Sequence, residues 1–434
     1  MLSVISIRAD GRTAVQSKVD VAFPAFLLFK LKTRFNIDNN SRFAFSVVSM
    51  KLILAAPLTA ALFLRAWRRS SLTPAGIFTA VLTAIAHAYH PWNLPFLLLA
   101  VFFLAGTRVT HIKEKVKATL TQHSNGSSGG EGPRTHVQVL ANSLIASILS
   151  ILHSYQLRSR QAAYANADVR DPVGTTCFSW GGDVLVIGII ANYAAVAADT
   201  FSSELGILSR TQPRLITSLT LRKVPRGTNG GVTIEGLVAG VVGSMIIVMV
   251  AMIFLPTCTP ETAAMPGGGV PWTVGQRRIL MGFLIVWGAL GSLLDSVLGG
   301  LLQRSVRDVR SGKIVEGEGG NRVLVSESSG RAAGGSVKRA EAKVAALSGL
   351  GEKPETNNET AVDDEHDTTE THENEDKHRR GSFGDDGPSR IVESGLDLLD
   401  NNDVNFLMAT TMSVGGMALA SWYWGLGIEN VLRP

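Results

Sequence analysis

The stretch VAADTFSSELG, Val196 to Gly206, carries Asp199, Thr200, Ser203 and Glu204 where an apolar run gives way to polar sequence. On a helix, Ser203 lies four residues after Asp199 and shares its face. An acid at a membrane boundary must be solvated, paired or bound to a cation. Carboxylates beside hydroxyls suit Mg²⁺, which keeps sites open for substrate phosphates. A second motif, KVPRGTNGGVTIEG, spans Lys223 to Gly236. Gly227, Gly230 and Gly231 allow a turn to approach a ligand closely. Successive N–H groups there, with Thr228 and Asn229 between, could form an anion nest, and Lys223 and Arg226 add positive charge. No GxxxxGK[ST] occurs, so this is not a Walker A loop. A third motif, GALGSLLDSVLGG, sets Asp295 inside an apolar run between Gly291 and Gly299. An intramembrane Asp is a functional-site hypothesis by default. The fourth, LDLLDNNDVNFL, gathers Asp400, Asn401, Asn402 and Asn405 at the start of a run, more than a helix cap needs. Asn142 is a further amide at the start of another run. Each motif also has a plainer reading: solvated acids at a helix end, a flexible turn, a structural carboxylate, a cap.

Stepping outward, the elements that would hold these residues are membrane helices. Of 434 residues, 45% are hydrophobic and 18% charged, against about 25% charged in soluble domains. The apolar residues form blocks rather than an alternating pattern, which argues for a helix bundle and against a membrane barrel. The expected fold is therefore all-α, a polytopic transmembrane bundle of seven or eight spans. These are Leu52–Ala66, Ala75–Tyr89, Trp92–Ala105, Val137–Tyr155, Phe178–Ala198, Val232–Leu255, Arg278–Leu302 and Val404–Leu426. Ala75–Ala105 reads either as a tight pair broken at His90-Pro91 or as one bent element.

With eight spans, the basic loops after the first, third, fifth and seventh all fall on one side, which the positive-inside rule makes cytoplasmic. The net charge of +5 is thus absorbed by topology, and nucleic acid is not an expected partner. All four motifs and Asn142 fall at that same face, although charge counting used none of their Gly, Asn or Asp residues. Acids, a Gly-rich turn and cations on one face describe a metal–phosphate site.

Outside the spans, residues 1–49 read as a poorly ordered N-terminal extension, upstream of the usual start or a genuine tail. The membrane domain is expected over 50–314 and again over 395–434. Between them, 315–394 has a composition too polar to bury a core and reads as a disordered acidic insertion on the cytoplasmic side. Cys177 and Cys258 both fall on the opposite side, where a disulfide or two free thiols would fit.

PRTHVQVLAN, DTFSSELG, PRLIT, KVPRGTNGGVT, GSLLDSVLG and LDNNDVN resemble the signatures of the transmembrane protein 19 family, the integral membrane domain of unknown function 92. The resemblance covers about residues 50–310 and 390–434, and the N-terminal extension and long insertion depart from it. A plant branch of that family converts phytyl phosphate to the diphosphate. Asp199 to Gly236 also looks similar to CTP-using dolichol and phytol kinases. The resemblance implies nucleotide-dependent phosphorylation of an isoprenyl or polyprenyl phosphate, using Mg²⁺ and a nucleoside triphosphate such as CTP. Asp199, Glu204 and Asp295 would hold the metal, residues 223 and 226–231 the phosphates. Asn142, Thr200, Ser203, Asp400, Asn401, Asn402 and Asn405 would complete a polar shell. The endoplasmic reticulum or another endomembrane is the expected location. A transporter or channel lined by Asp295, or a noncatalytic membrane scaffold, is the rival expectation.

Overall fold

The computed structural model describes residues 56–68, 70–124, 126–130, 132–166, 173–323 and 390–427. The extension at 1–49 and most of the expected insertion, 324–389, lie outside them.

The helices begin and end where local chemistry dictates. Helix α1 covers 56–68. Helix α2, Pro74–Ala88, starts at Thr73, whose hydroxyl accepts from the Gly76 N–H at 3.1 Å. The turn at 89–93 separates it from α3, Leu94–Thr110, so the region is a pair of helices rather than one bent element. A short α4, Glu114–Ala118, follows. Reciprocal capping boxes open α5, His136–Ala165 (Thr135 and Gln138), and α9, Val274–Leu302 (Thr273 and Gln276). Between them lie α6, Val184–Gly206, α7, Ile234–Phe254, and a single turn, α8, Pro260–Ala263. Helix α10, Asn401–Trp424, opens on an Asp400–Asp403 capping box and ends on Gly425 at φ 66°.

Five of these helices (α5, α6, α7, α9 and α10) are long and apolar enough to cross a membrane. Helices α2 and α3 are apolar but have only 15 and 17 residues, short of the roughly 20 a perpendicular crossing needs. Helix α5 runs ten residues past the expected end at Tyr155, because Gln156 to Ala165 contains no helix breaker.

Helix α6 is the axis of the bundle. It is buried on all sides through Ala198, and apolar there except for Asn192 and Tyr193, as befits a helix surrounded by others, and α3, α5, α7, α9 and α10 pack against it. Small residues permit the close approach. A Cβ on Gly288 or Gly291 of α9 would come within 2.5 Å of Ala194 or Ala195, and one on Gly243 of α7 within 2.6 Å of the Ala197 carbonyl. The two mid-helix polar side chains are satisfied by neighbours. Asn192 donates to the Asn142 carbonyl at 2.9 Å, and Tyr193 hydroxyl lies 2.7 Å from His87 Nε2.

The all-α expectation needs one correction. Strands β1 (Gln122–His123), β4 (Ser305–Asp308), β5 (Ile314–Glu316) and β6 (Arg390–Ser394) form a sheet in the order β1-β5-β4-β6. Two further strands, β2 (Arg214–Leu215) and β3 (Gly231–Val232), pair antiparallel. Strands β4 and β5 are an antiparallel hairpin, and β6 returns to the other edge of β4. Strands β5 and β6 thus fall at the two ends of the expected insertion, each built around an adjacent apolar pair, Ile314-Val315 and Ile391-Val392. The whole is a mostly helical membrane protein carrying a small sheet.

Beyond the opposite helix ends, Cys177 and Cys258 form a disulfide. Trp272 donates to the Phe178 carbonyl at 2.6 Å beside it.

Candidate functional site

Helices α3, α6 and α9 end, and α5, α7 and α10 begin, around one cavity of about 590 Å³. Helix α6 stays helical past its apolar section, which carries Asp199, Thr200, Ser203 and Glu204 onto the cavity wall. From α9, Asp295 meets Asp199, and the two carboxyl groups approach within hydrogen-bonding range. Asp295 Oδ1 is buried without a partner. Two carboxylates in contact repel unless a proton or a cation lies between them.

Glu204 is turned elsewhere. Its carboxylate pairs with Lys117, whose ammonium also reaches the carbonyls of Thr110 and Val109. The three acids expected around one metal thus divide into a pair and an ion-paired residue. Among the described residues no group of three or more His, Cys, Asp or Glu side chains is placed to hold a metal ion. The Asp199–Asp295 pair still fits Mg²⁺, which commonly takes one or two carboxylates together with phosphate oxygens.

The Gly-rich loop forms the next wall. Gly227 and Gly230 have φ of 85° and 77°, and a Cβ on Gly230 would lie 2.7 Å from Gly300 Cα, so glycine is required there. The loop is braced within the fold: the N–H groups of Thr228, Asn229 and Gly231 bond to the Pro225 carbonyl, the Ser305 hydroxyl and the Thr228 carbonyl. Three of the expected nest donors are therefore engaged in shaping the turn. Residues 226–231 all line the cavity. Arg226 is anchored by a 2.7 Å bond to the Ser209 carbonyl. Lys223 is exposed and lies off the lining.

The amides also divide. Asn142, Asn401 and Asn405 line the cavity. Asn402 donates instead to the Gly319 carbonyl at 3.1 Å, and Asp400 caps α10. Three further lining residues escaped sequence reasoning. Lys117 resembled an ordinary loop charge, although it is buried. Arg134, whose guanidinium donates to Thr110 at 2.8 Å, looked like part of a helix entry. Glu316, on β5, fell within the expected insertion. Burial pushes the Glu316 carboxyl above its ordinary value, against a bond from Thr121 and with help from the nearby charge of Glu204.

At the far end of the bundle a separate polar cluster is sealed in. His90 Nε2 lies 2.7 Å from His153 Nδ1, His153 Nε2 lies 3.5 Å from Asp183 Oδ2, and Asp183 pairs with Arg160.

Five long apolar helices, with a polar cavity where helix ends converge, are the pattern of an integral membrane protein. Residues 57–413 match the family model described as integral membrane protein DUF92, and the chain belongs to that family. It is 32% identical over 266 residues to Protein PGR of Arabidopsis thaliana, covering 59% of this chain and 80% of that protein. It is 32% identical over 209 residues to the uncharacterized membrane protein MJ0933 of Methanocaldococcus jannaschii, covering 48% of this chain and 65% of that protein. Protein VTE6, chloroplastic, of Arabidopsis thaliana is 30% identical over 169 residues, covering 39% of this chain and 43% of that protein. No solved structure matches.

Proposed function

We propose that the chain phosphorylates an isoprenyl or polyprenyl phosphate at the cytoplasmic membrane face, using a nucleoside triphosphate and Mg²⁺. The observation that carries this reading is the Asp199–Asp295 pair, with its orphaned oxygen, in a polar cavity also lined by Lys117, Arg134 and Arg226. Phosphoryl transfer needs positioning and charge neutralisation more than a protein nucleophile. Asp199 and Asp295 would hold Mg²⁺, which would neutralise the donor phosphates. Lys117 and Arg226 would neutralise the remaining oxygens. An acceptor phosphate oxygen forms a bond to the γ-phosphorus, the β–γ bridging P–O bond breaks, and its electron pair leaves with the nucleoside diphosphate. Phe102 and Phe103 on the cavity rim suit the first carbons of the lipid tail.

In this reading α1, α2 and α3 join the five long helices to complete eight crossings, with the cavity on the basic side and the protein resident in an endomembrane. A conduction path is less well supported. The cavity lining contains no α6 residue before Asp199, and Asn192 and Tyr193 bond to neighbouring helices instead of facing a channel.

Purified protein supplied with geranylgeranyl or phytyl phosphate, Mg²⁺ and each nucleoside triphosphate should form the diphosphate, and Asp199→Ala should not. No product from wild type under any nucleotide would end the reading.

A further inference from the structure

A second cavity, of about 520 Å³, opens beside the first and shares Gly227, Asn229, Gln303, Glu316 and Asn401 with it. Resting on the function proposed above, we propose that this second cavity receives the base and ribose of the phosphoryl donor, leaving the first for the phosphates and the lipid acceptor.

Three observations carry the assignment. The second cavity is built at and beyond the helix ends, from β5, the turn 317–323 and the segment before α10, with Thr135, Gln138 and Asn401 from helix starts, away from the apolar helix sections where a lipid tail would lie. Of the two substrates of a lipid phosphorylation, only the water-soluble one suits this position. Its walls also carry side chains that can bond a base or a ribose: His123, Arg304, Asn321 and Asn401 all line it, supplying both donors and acceptors. Gly227 and Asn229 of the Gly-rich loop line both cavities, together with Gly130, Pro133, Gln138 and Glu316, so a triphosphate would pass beside that loop towards Asp199 and Asp295. The volume lies inside the range of about 300–1,000 Å³ usual for small-molecule sites.

The test uses full-length protein in detergent or nanodiscs and fluorescent ATP, CTP, GTP and UTP analogues at equilibrium. His123→Ala and Asn321→Trp, the latter filling the cavity, should weaken nucleotide binding by about tenfold or more. They should raise KM for the nucleotide while leaving KM for the prenyl phosphate unchanged. Should either variant fail to fold, an azido-nucleotide crosslinked to wild type should label peptides within 314–323. Variants that bind nucleotide as wild type does, or labels confined to α3, would overturn the assignment while leaving the reaction standing. Wild type that binds no nucleotide would remove both. Weakened binding in the variants, in a protein that transfers no phosphoryl group, would support the nucleotide site and remove the reaction.

Discussion

Lys117 is ion-paired with Glu204 at the edge of the cavity, each side chain only 10% exposed. Removing one partner of a buried pair strands the other, a loss of about 3–5 kcal/mol. Glu204→Gln and Lys117→Met should each lower thermal stability by that order. The double variant should recover most of it, because no charge is stranded. Activity should stay lost in the double variant, since the cavity then lacks its buried cation. Recovery of turnover together with stability would show the pair to be purely structural.

Asp199 and Asp295 should behave oppositely in the same measurements. Asp295→Asn relieves the contact between two acids, so stability should hold or rise. Product formation should fall by about 10²–10³, the scale for removing one preorganised electrostatic group. The Mg²⁺ concentration for half-maximal rate should rise in the residual activity. An unchanged Mg²⁺ titration would show that this pair does not hold the metal.

Glu316 gives a pH-dependent prediction with a definite sign. Burial raises its carboxyl above the ordinary 4.5, so within the window from 4.5 up to the folded value the folded protein binds the proton more readily than the unfolded chain. Stability from this residue is therefore highest below the unfolded value and declines as pH rises through the folded one. Glu316→Gln should flatten that decline and make the protein more stable near neutrality. Melting curves of both proteins from about pH 4 to about pH 8 decide it; parallel curves would contradict the assignment.

The apolar blocks and the Lys and Arg between them were enough to locate the long helices and to gather Asp199, Gly230, Asp295 and Asn405 at one end. Long-range pairing was not legible. Nothing local in the sequence says that Glu204 faces Lys117, 87 residues away, and this contact takes Glu204 out of the expected acid cluster. Lys117 reads as one more loop cation because a positive charge orients a helix whether it is solvated or buried. The sheet escaped for a related reason. Strands β4, β5 and β6 are three to five residues long, and β6 pairs with β4 across more than eighty positions. Each is too short to show a period alone. Asp400 follows from local chemistry once the helix start is fixed, as its cap, whereas Asn402 bonds to Gly319, 83 residues away, and was no more legible than Glu204.

The Cys177–Cys258 disulfide closes a separation of 81 residues on the face away from the cavity. Loops of that length give a bond with substantial stabilisation, about 2–4 kcal/mol typically. Maleimide labelling of native protein should proceed only after reduction. The Cys177→Ser, Cys258→Ser variant should melt earlier while keeping its nucleotide affinity, since the bond lies at the other end of the bundle. Labelling without reductant would show that the thiols are free.

Asp183, beside that disulfide, opens α6 and meets both Arg160 and His153 of α5. Burial pushes its carboxyl up, but the bond and charge of His153, with the Arg160 guanidinium, outweigh burial and hold it below its usual 3.8. Its stabilisation is thus fully present above that unfolded value and lost as pH falls through the lower folded one. Asp183→Asn strands the buried Arg160, and should cost about 3–5 kcal/mol at neutral pH. His153 tells the charge apart from the packing. His153 Nδ1 lies 2.7 Å from His90 Nε2 and its Nε2 lies 3.5 Å from Asp183 Oδ2, so the ring presents Nε2 to the carboxylate. His153→Gln keeps a donor and should retain most of the stability; His153→Phe keeps the ring volume but not the donor, and should not. Equal melting of the Gln and Phe variants would show that volume alone matters at this position.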